Sequence, residues 1–94
     1  MAEERIAKKV RITGRVQGVY YRGWTQSEAK RLGLGGWVRN EYDGSVSAVI
    51  AGAPGAVEEM LRLMRRGPLD ARVDEVVVEE TDAAGVGRGF RVER

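Results

Sequence analysis

Two hydrophobic periods alternate along 94 residues, and that alternation most constrains what this chain can fold into. Over residues 6–13, Ile6, Val10 and Ile12 share one face, with Lys9, Arg11 and Thr13 opposite. This period of two marks a half-buried strand. Lys8 falls on the apolar face, so the first residues are expected at a frayed end. Over residues 22–32 the period changes: Thr25, Ala29 and Leu32 lie at helical spacing, and Gly33 ends the helix. Residues 34–42 and 45–51 read as two further strands, with Tyr42-Asp43-Gly44 as the hairpin turn between them. Residues 54–66 form the clearest helix. Val57, Met60, Leu61 and Met64 fall at i, i+3, i+4 and i+7, Pro54 suits the first turn, and Gly67-Pro68 stops it. Glu58 and Arg62 form an i,i+4 pair on its surface. Residues 73–80 read as a fourth strand, 81–89 as a glycine-rich connection, and Phe90 and Val92 as a short last strand.

The order strand, helix, strand, strand, helix, strand predicts an α+β fold. It fits a ferredoxin-like sandwich (βαββαβ, split βαβ), with a mostly antiparallel sheet and two helices on one face. The whole chain, residues 1–94, is expected to be a single domain with its core over about 6–93.

Composition removes many chemistries. There is no cysteine and no histidine. Disulfides, thiolate catalysis, the usual general base and the commonest metal ligands are therefore absent. No dense Asp/Glu motif suggests a metal, and no cofactor is expected. No apolar run approaches the roughly 20 residues needed to cross a bilayer. The N-terminus lacks the basic start and apolar core of a signal peptide. The expectation is a soluble, cytoplasmic protein.

The net charge of +2 hides an asymmetry. Residues 1–40 carry nine Lys/Arg against three Asp/Glu, net +6; residues 41–94 carry seven against eleven, net −4. Between Arg5 and Arg22 there are six basic residues and no acid. Such a field attracts anions. Lys8, Lys9 and Arg11 also fit a solvated strand face. The overall balance does not suit a dedicated nucleic-acid binder.

The positive half contains Gly14-Arg15-Val16-Gln17-Gly18-Val19-Tyr20-Tyr21-Arg22 between a strand and a helix. Successive N–H groups in a turn form an anion-binding nest, and a following helix N-terminus adds its own unpaired donors. Gly18 lets a ligand approach the backbone. Arg22 brings a planar fork suited to phosphate oxygens. Two glycines before a helix also serve as a plain tight turn, and neither a Walker A loop nor a dinucleotide fingerprint is present. Gly85-Val86-Gly87-Arg88-Gly89 precedes a strand and reads as a flexible connection. Asn40, the only asparagine, lies 18 positions after Arg22 at a strand end. It can cap the hairpin through the backbone, or hold a water through its amide. Trp37 and Val38 read as core or sheet-face residues.

The segment from Gly14 to Arg22 resembles the first signature of the acylphosphatase family. Gly36-Trp37-Val38-Arg39-Asn40 through Asp43-Gly44 resembles the second. The resemblance continues through Gly67-Pro68 and Ala71-Arg72-Val73-Asp74 to Phe90, and spans about residues 10–92. Tyr20-Tyr21 stands where the family usually has a Phe before the arginine, and Gly35 where a charged or polar residue is common. The resemblance implies hydrolysis of the carboxyl–phosphate anhydride bond of acyl phosphates, releasing a carboxylate and inorganic phosphate. It implies that Arg22 binds the phosphoryl group with the loop Arg15, Val16, Gln17, Gly18, Val19, Tyr20 and Tyr21, and that Asn40 positions the attacking water. Neither metal nor covalent intermediate is implied. The expected partner is a small acyl phosphate, with no nucleic acid or membrane, and the expected state is a monomer.

Three readings compete. An RNA-recognition domain needs aromatics on a central strand, and Ser45-Val46-Ser47-Ala48-Val49-Ile50-Ala51 has none. An anion sensor would bind without turnover. A domain of a larger carbamoyl-processing protein would share the fold.

Overall fold

The computed structural model describes residues 4–93. The elements run β1 (Ile6–Arg15), α1 (Tyr21–Arg31), β2 (Gly35–Asn40), β3 (Val46–Gly52), α2 (Pro54–Arg66), β4 (Arg72–Thr81) and β5 (Phe90–Val92), with a 3₁₀ turn at Ala83–Gly85. The sheet order is β4-β1-β3-β2-β5. All pairs are antiparallel except β2 with β5. This is the α+β sandwich expected from the element order: β3 sits between β1 and β2, which is the split of the first βαβ unit. Among the described residues, no helix is long and apolar enough to cross a membrane.

Register sets the two faces. Val78, Val10, Ala48, Val38 and Val92 form one row across all five strands. Ile12, Val46 and Asn40 form the next. This face carries the core, closed by Tyr21, Thr25 and Ala29 of α1 and by Val57, Met60 and Met64 of α2. The opposite face holds Trp37, half-buried, with the Arg39 guanidinium 4.7 Å from its ring centroid. Trp37 is thus a sheet-face residue.

Several local details differ from the sequence expectation. The start of β1 is not frayed at Lys8. That residue is paired with Ile50 and Glu80 across both neighbouring strands, and its Nζ lies 3.4 Å from Glu80 Oε1. Its aliphatic stem can cover apolar surface while the ammonium reaches the edge strand's carboxylate. On α2, Arg62 pairs with Glu59, not Glu58; its Nε lies 3.0 Å from Glu59 Oε1. Three- and four-residue spacings are both neighbours on a helix, and rotamers select between them. Leu63 is buried while Leu61 is only half-buried. Both flank the Val57-Met60-Met64 stripe, and tertiary packing chooses the side.

The glycine-rich connection is anchored. Arg5 donates to the carbonyls of Ala83, Val86 and Gly87 at 2.8–2.9 Å. A Cβ on Gly35 would collide with the Gly87 carbonyl. The absence of a side chain at position 35 is therefore matched to this close-lying connection.

Tyr21 is 1% exposed, and its hydroxyl donates to the Met64 carbonyl at 2.7 Å. Burial pushes its pKa upward, so it stays a donor. This bond satisfies the extra oxygen that a phenylalanine would lack. Tyr21→Phe is expected to destabilise the fold by about 1 kcal/mol by leaving the Met64 carbonyl unpaired. Urea denaturation of the two proteins checks this.

Candidate active site

The chain leaves β1 at Arg15, turns through Gly18 (φ 74°) and enters α1 at Tyr21. Val16 and Val19 anchor the loop with buried side chains. No side chain caps α1, and no acidic residue lies in its first turn. The first intrahelical bond runs from the Trp24 N–H to the Tyr20 carbonyl at 3.0 Å. Among the described residues, the backbone N–H groups of residues 17–22 donate to no carbonyl or side chain. They surround the helix's positive end.

Gln17 braces this loop. Its Nε2 donates to the carbonyls of Glu41 and Ser45, each at 2.8 Å. Those carbonyls flank the β2–β3 turn, immediately after Asn40. The turn itself is closed by Asp43, whose Oδ1 accepts from the Ser45 N–H at 2.9 Å and from the Ser45 hydroxyl at 2.6 Å. Hydrogen bonds from Ser45 and from Arg11 hold the Asp43 carboxyl well below the usual carboxylate range. Asp43, not Asn40, therefore caps the hairpin.

This leaves Asn40 available. It sits at the end of β2 on the helix-facing side, opposite Val46. Its Oδ1 is buried and accepts no hydrogen bond. Buried polar atoms without partners are uncommon in native proteins and call for an explanation. A cleft of about 400 Å³ brings Asn40 together with Val16, Gly18, Tyr20, Tyr21, Arg22, Gly23 and Val92. Arg22 forms no ion pair among the described residues.

The predicted site residues thus separate by role. Arg22 and Asn40 meet at one cleft, with Gly18 and Tyr20 at its lining. Val16 and Tyr21 reach it while their side chains lie in the core. Arg15, Gln17 and Val19 do not line it: Arg15 ends β1 and is exposed, Gln17 is the brace, and Val19 is buried beneath. Gly23 and Val92 were not foreseen. A glycine in the first turn of a helix is a readable signal because it is unfavourable there; a valine in a short strand carries none. The cleft has no carboxylate and no imidazole in its lining. No group of three or more Asp/Glu side chains that could hold a metal occurs among the described residues.

An α+β sandwich whose β1–α1 loop presents free N–H donors and an arginine beside an unpartnered amide defines a small anion-handling domain. The acylphosphatase family profile matches residues 8–92. An acylphosphatase of Rhizobium meliloti (strain 1021) is 56% identical over 94 residues, covering 100% of this chain and 99% of that one. The solved acylphosphatase of Coxiella burnetii superposes with a TM-score of 0.90 at 31% identity, over 95% of this chain and 93% of that one. That of Bacillus subtilis gives 0.89 at 30% identity, over 95% and 99%. The chain belongs to the acylphosphatase family, and it is a hydrolase of acyl phosphates, releasing inorganic phosphate.

Proposed function

We propose that hydrolysis takes place in the cleft between the β1–α1 loop and the end of β2, with Arg22 and the loop N–H groups holding the phosphoryl group and Asn40 holding the attacking water. The observation that carries this is the buried, unpartnered Oδ1 of Asn40 in the same cleft as Arg22 and the N-terminus of α1. Fixed donors aimed at the equatorial phosphoryl oxygens stabilise the charge of the transition state without reorganising. The amide oxygen accepts from the water and orients it for attack.

The leaving group is a carboxylate, whose conjugate acid has a pKa of about 4 by analogy with Asp and Glu. It departs without protonation, so a general acid is unnecessary. The cleft lining offers no carboxylate or imidazole as base. The water's proton passes to a phosphoryl oxygen of the substrate itself. Among the described residues no cluster of carboxylates offers a metal site. The cleft lining holds no Ser, Thr, Cys, His, Lys or carboxylate as a nucleophile, its side-chain hydroxyls being the phenols of Tyr20 and Tyr21. We read the chain as a single domain acting as a monomer in the cytoplasm, without nucleic-acid or membrane partners.

The test is hydrolysis of benzoyl phosphate followed by ultraviolet absorbance. The rate is expected to be insensitive to excess EDTA. It should also be flat between about pH 5 and 8 once substrate ionisation is held constant, because the histidine range is empty in this chain. A steep rise over that range would establish an enzyme base. A phosphomonoester has a poor alkoxide leaving group, so nitrophenyl phosphate is expected to turn over weakly or not at all; comparable rates on the two substrates would sink the mechanism.

A further inference from the structure

We propose that Tyr20 is the acyl-group specificity residue of this enzyme. Its exposed ring would form the side of the cleft that holds acyl phosphates bearing planar or extended apolar acyl groups. The inference rests on the site assignment above.

Tyr20 is held at a conformational cost that its packing does not repay. It has φ 67° and ψ 21°, and it is the only non-glycine residue with positive φ among the described residues. A bulky side chain in that region is strained, and such strain persists where the surroundings impose it, commonly at functional sites. Burial does not offset the cost, because Tyr20 remains 72% exposed. The ring instead lies over Gly23: a Cβ there would collide with Tyr20 Cε1 and Cζ. Glycine is the least favourable helix residue after proline, yet it occupies the first turn of α1 and leaves the seat for the ring. Two locally unfavourable choices thus serve one outcome, an aromatic ring fixed at the cleft but left open to solvent. Local rules broken together without a packing return are expected where function needs them.

The position of the ring says what it meets. In-line displacement puts the attacking and leaving oxygens on opposite sides of phosphorus. Asn40 and Val92 enter the cleft from β2 and β5, whereas Tyr20, Arg22 and Gly23 enter from the start of α1. With the water on Asn40 and the equatorial oxygens on the loop N–H groups and Arg22, the acyl group extends out of the cleft, whose exposed lining includes Tyr20. Offset or edge contact with an aromatic ring favours a planar acyl group over a methyl group.

The test compares kcat/KM for benzoyl phosphate with that for acetyl phosphate and follows their ratio. Relative to wild type, Tyr20→Ala is expected to lower the ratio about fivefold, the scale of one aromatic contact. Tyr20→Phe should retain the wild-type ratio. Gly23→Ala should lower it as well, because the new Cβ displaces the ring while Tyr20 itself is intact. An unchanged ratio in Tyr20→Ala, with Asn40→Ala inactive on both substrates, would overturn the role of Tyr20 and leave the site standing. Full turnover in Asn40→Ala would overturn the site, and the acyl-group assignment with it.

Discussion

Asn40→Ala is expected to lower kcat for benzoyl phosphate by roughly two orders of magnitude or more, a loss typical of removing a key positioning group. A hundredfold loss corresponds to about 2.7 kcal/mol of transition-state stabilisation. The fold should survive. Asn40 Oδ1 bonds to no protein group, so truncation orphans no donor, and the hairpin keeps its Asp43 cap. Asn40→Asp separates shape from charge: it keeps the size but brings a negative charge to the phosphoryl group, and it should be at least as damaging. Steady-state kinetics with far-ultraviolet circular dichroism on each variant decides the matter. A folded Asn40→Ala protein with wild-type kcat would remove Asn40 from the mechanism.

Gly36→Ala is expected to destabilise the fold by roughly 3–5 kcal/mol, adding the strain of a forbidden backbone region to a steric clash. Gly36 has φ 133°, which side chains rarely adopt, and a Cβ there would collide with the Val49 carbonyl of β3. The obstacle is backbone in the middle of the sheet, so no side chain can swing aside. For a domain of this size the loss corresponds to a fall in Tm of roughly 15–30 °C. It consumes much of the 5–15 kcal/mol by which native domains exceed their unfolded states. Gly89→Ala is the control: an added Cβ meets nothing there and φ is not positive, so a change within about 0.5 kcal/mol is expected. Urea denaturation measures both. A loss under about 1 kcal/mol for Gly36→Ala would mean that β2 shifts to accommodate the methyl group.

The signals that were legible in the sequence were local ones. The period of two in β1, the Val57-Met60-Met64 stripe of α2 and the stop at Gly67-Pro68 each encode a conformation within one segment. The site was legible in part for the same reason. Free N–H donors between Gly14 and Arg22 follow from a turn leading into a helix. The two sequence readings of Asn40, hairpin cap or water ligand, were equally local and stayed undecided. The family resemblance favoured the water ligand, and the structure bears on the cap alone: Asp43 closes the turn, and Gln17 ties the loop to it.

By itself the sequence determined the kinds of elements, their order, and a chemistry without thiol, imidazole or disulfide, because periodicity and composition need no knowledge of neighbours. Family membership followed from two motifs at a fixed separation, and the matched relatives bear it out. Tertiary structure alone decided which side chains of the loop turn inward. Val16, Val19 and Tyr21 are buried, Gln17 is a brace, and Tyr20 is left on the surface. It also decided that Arg62 meets Glu59, that Lys8 is covered within the sheet, and that β5 runs parallel to β2. Each of these depends on contacts between residues distant in sequence, where strand register and hydrogen-bond satisfaction choose among options that are locally equal.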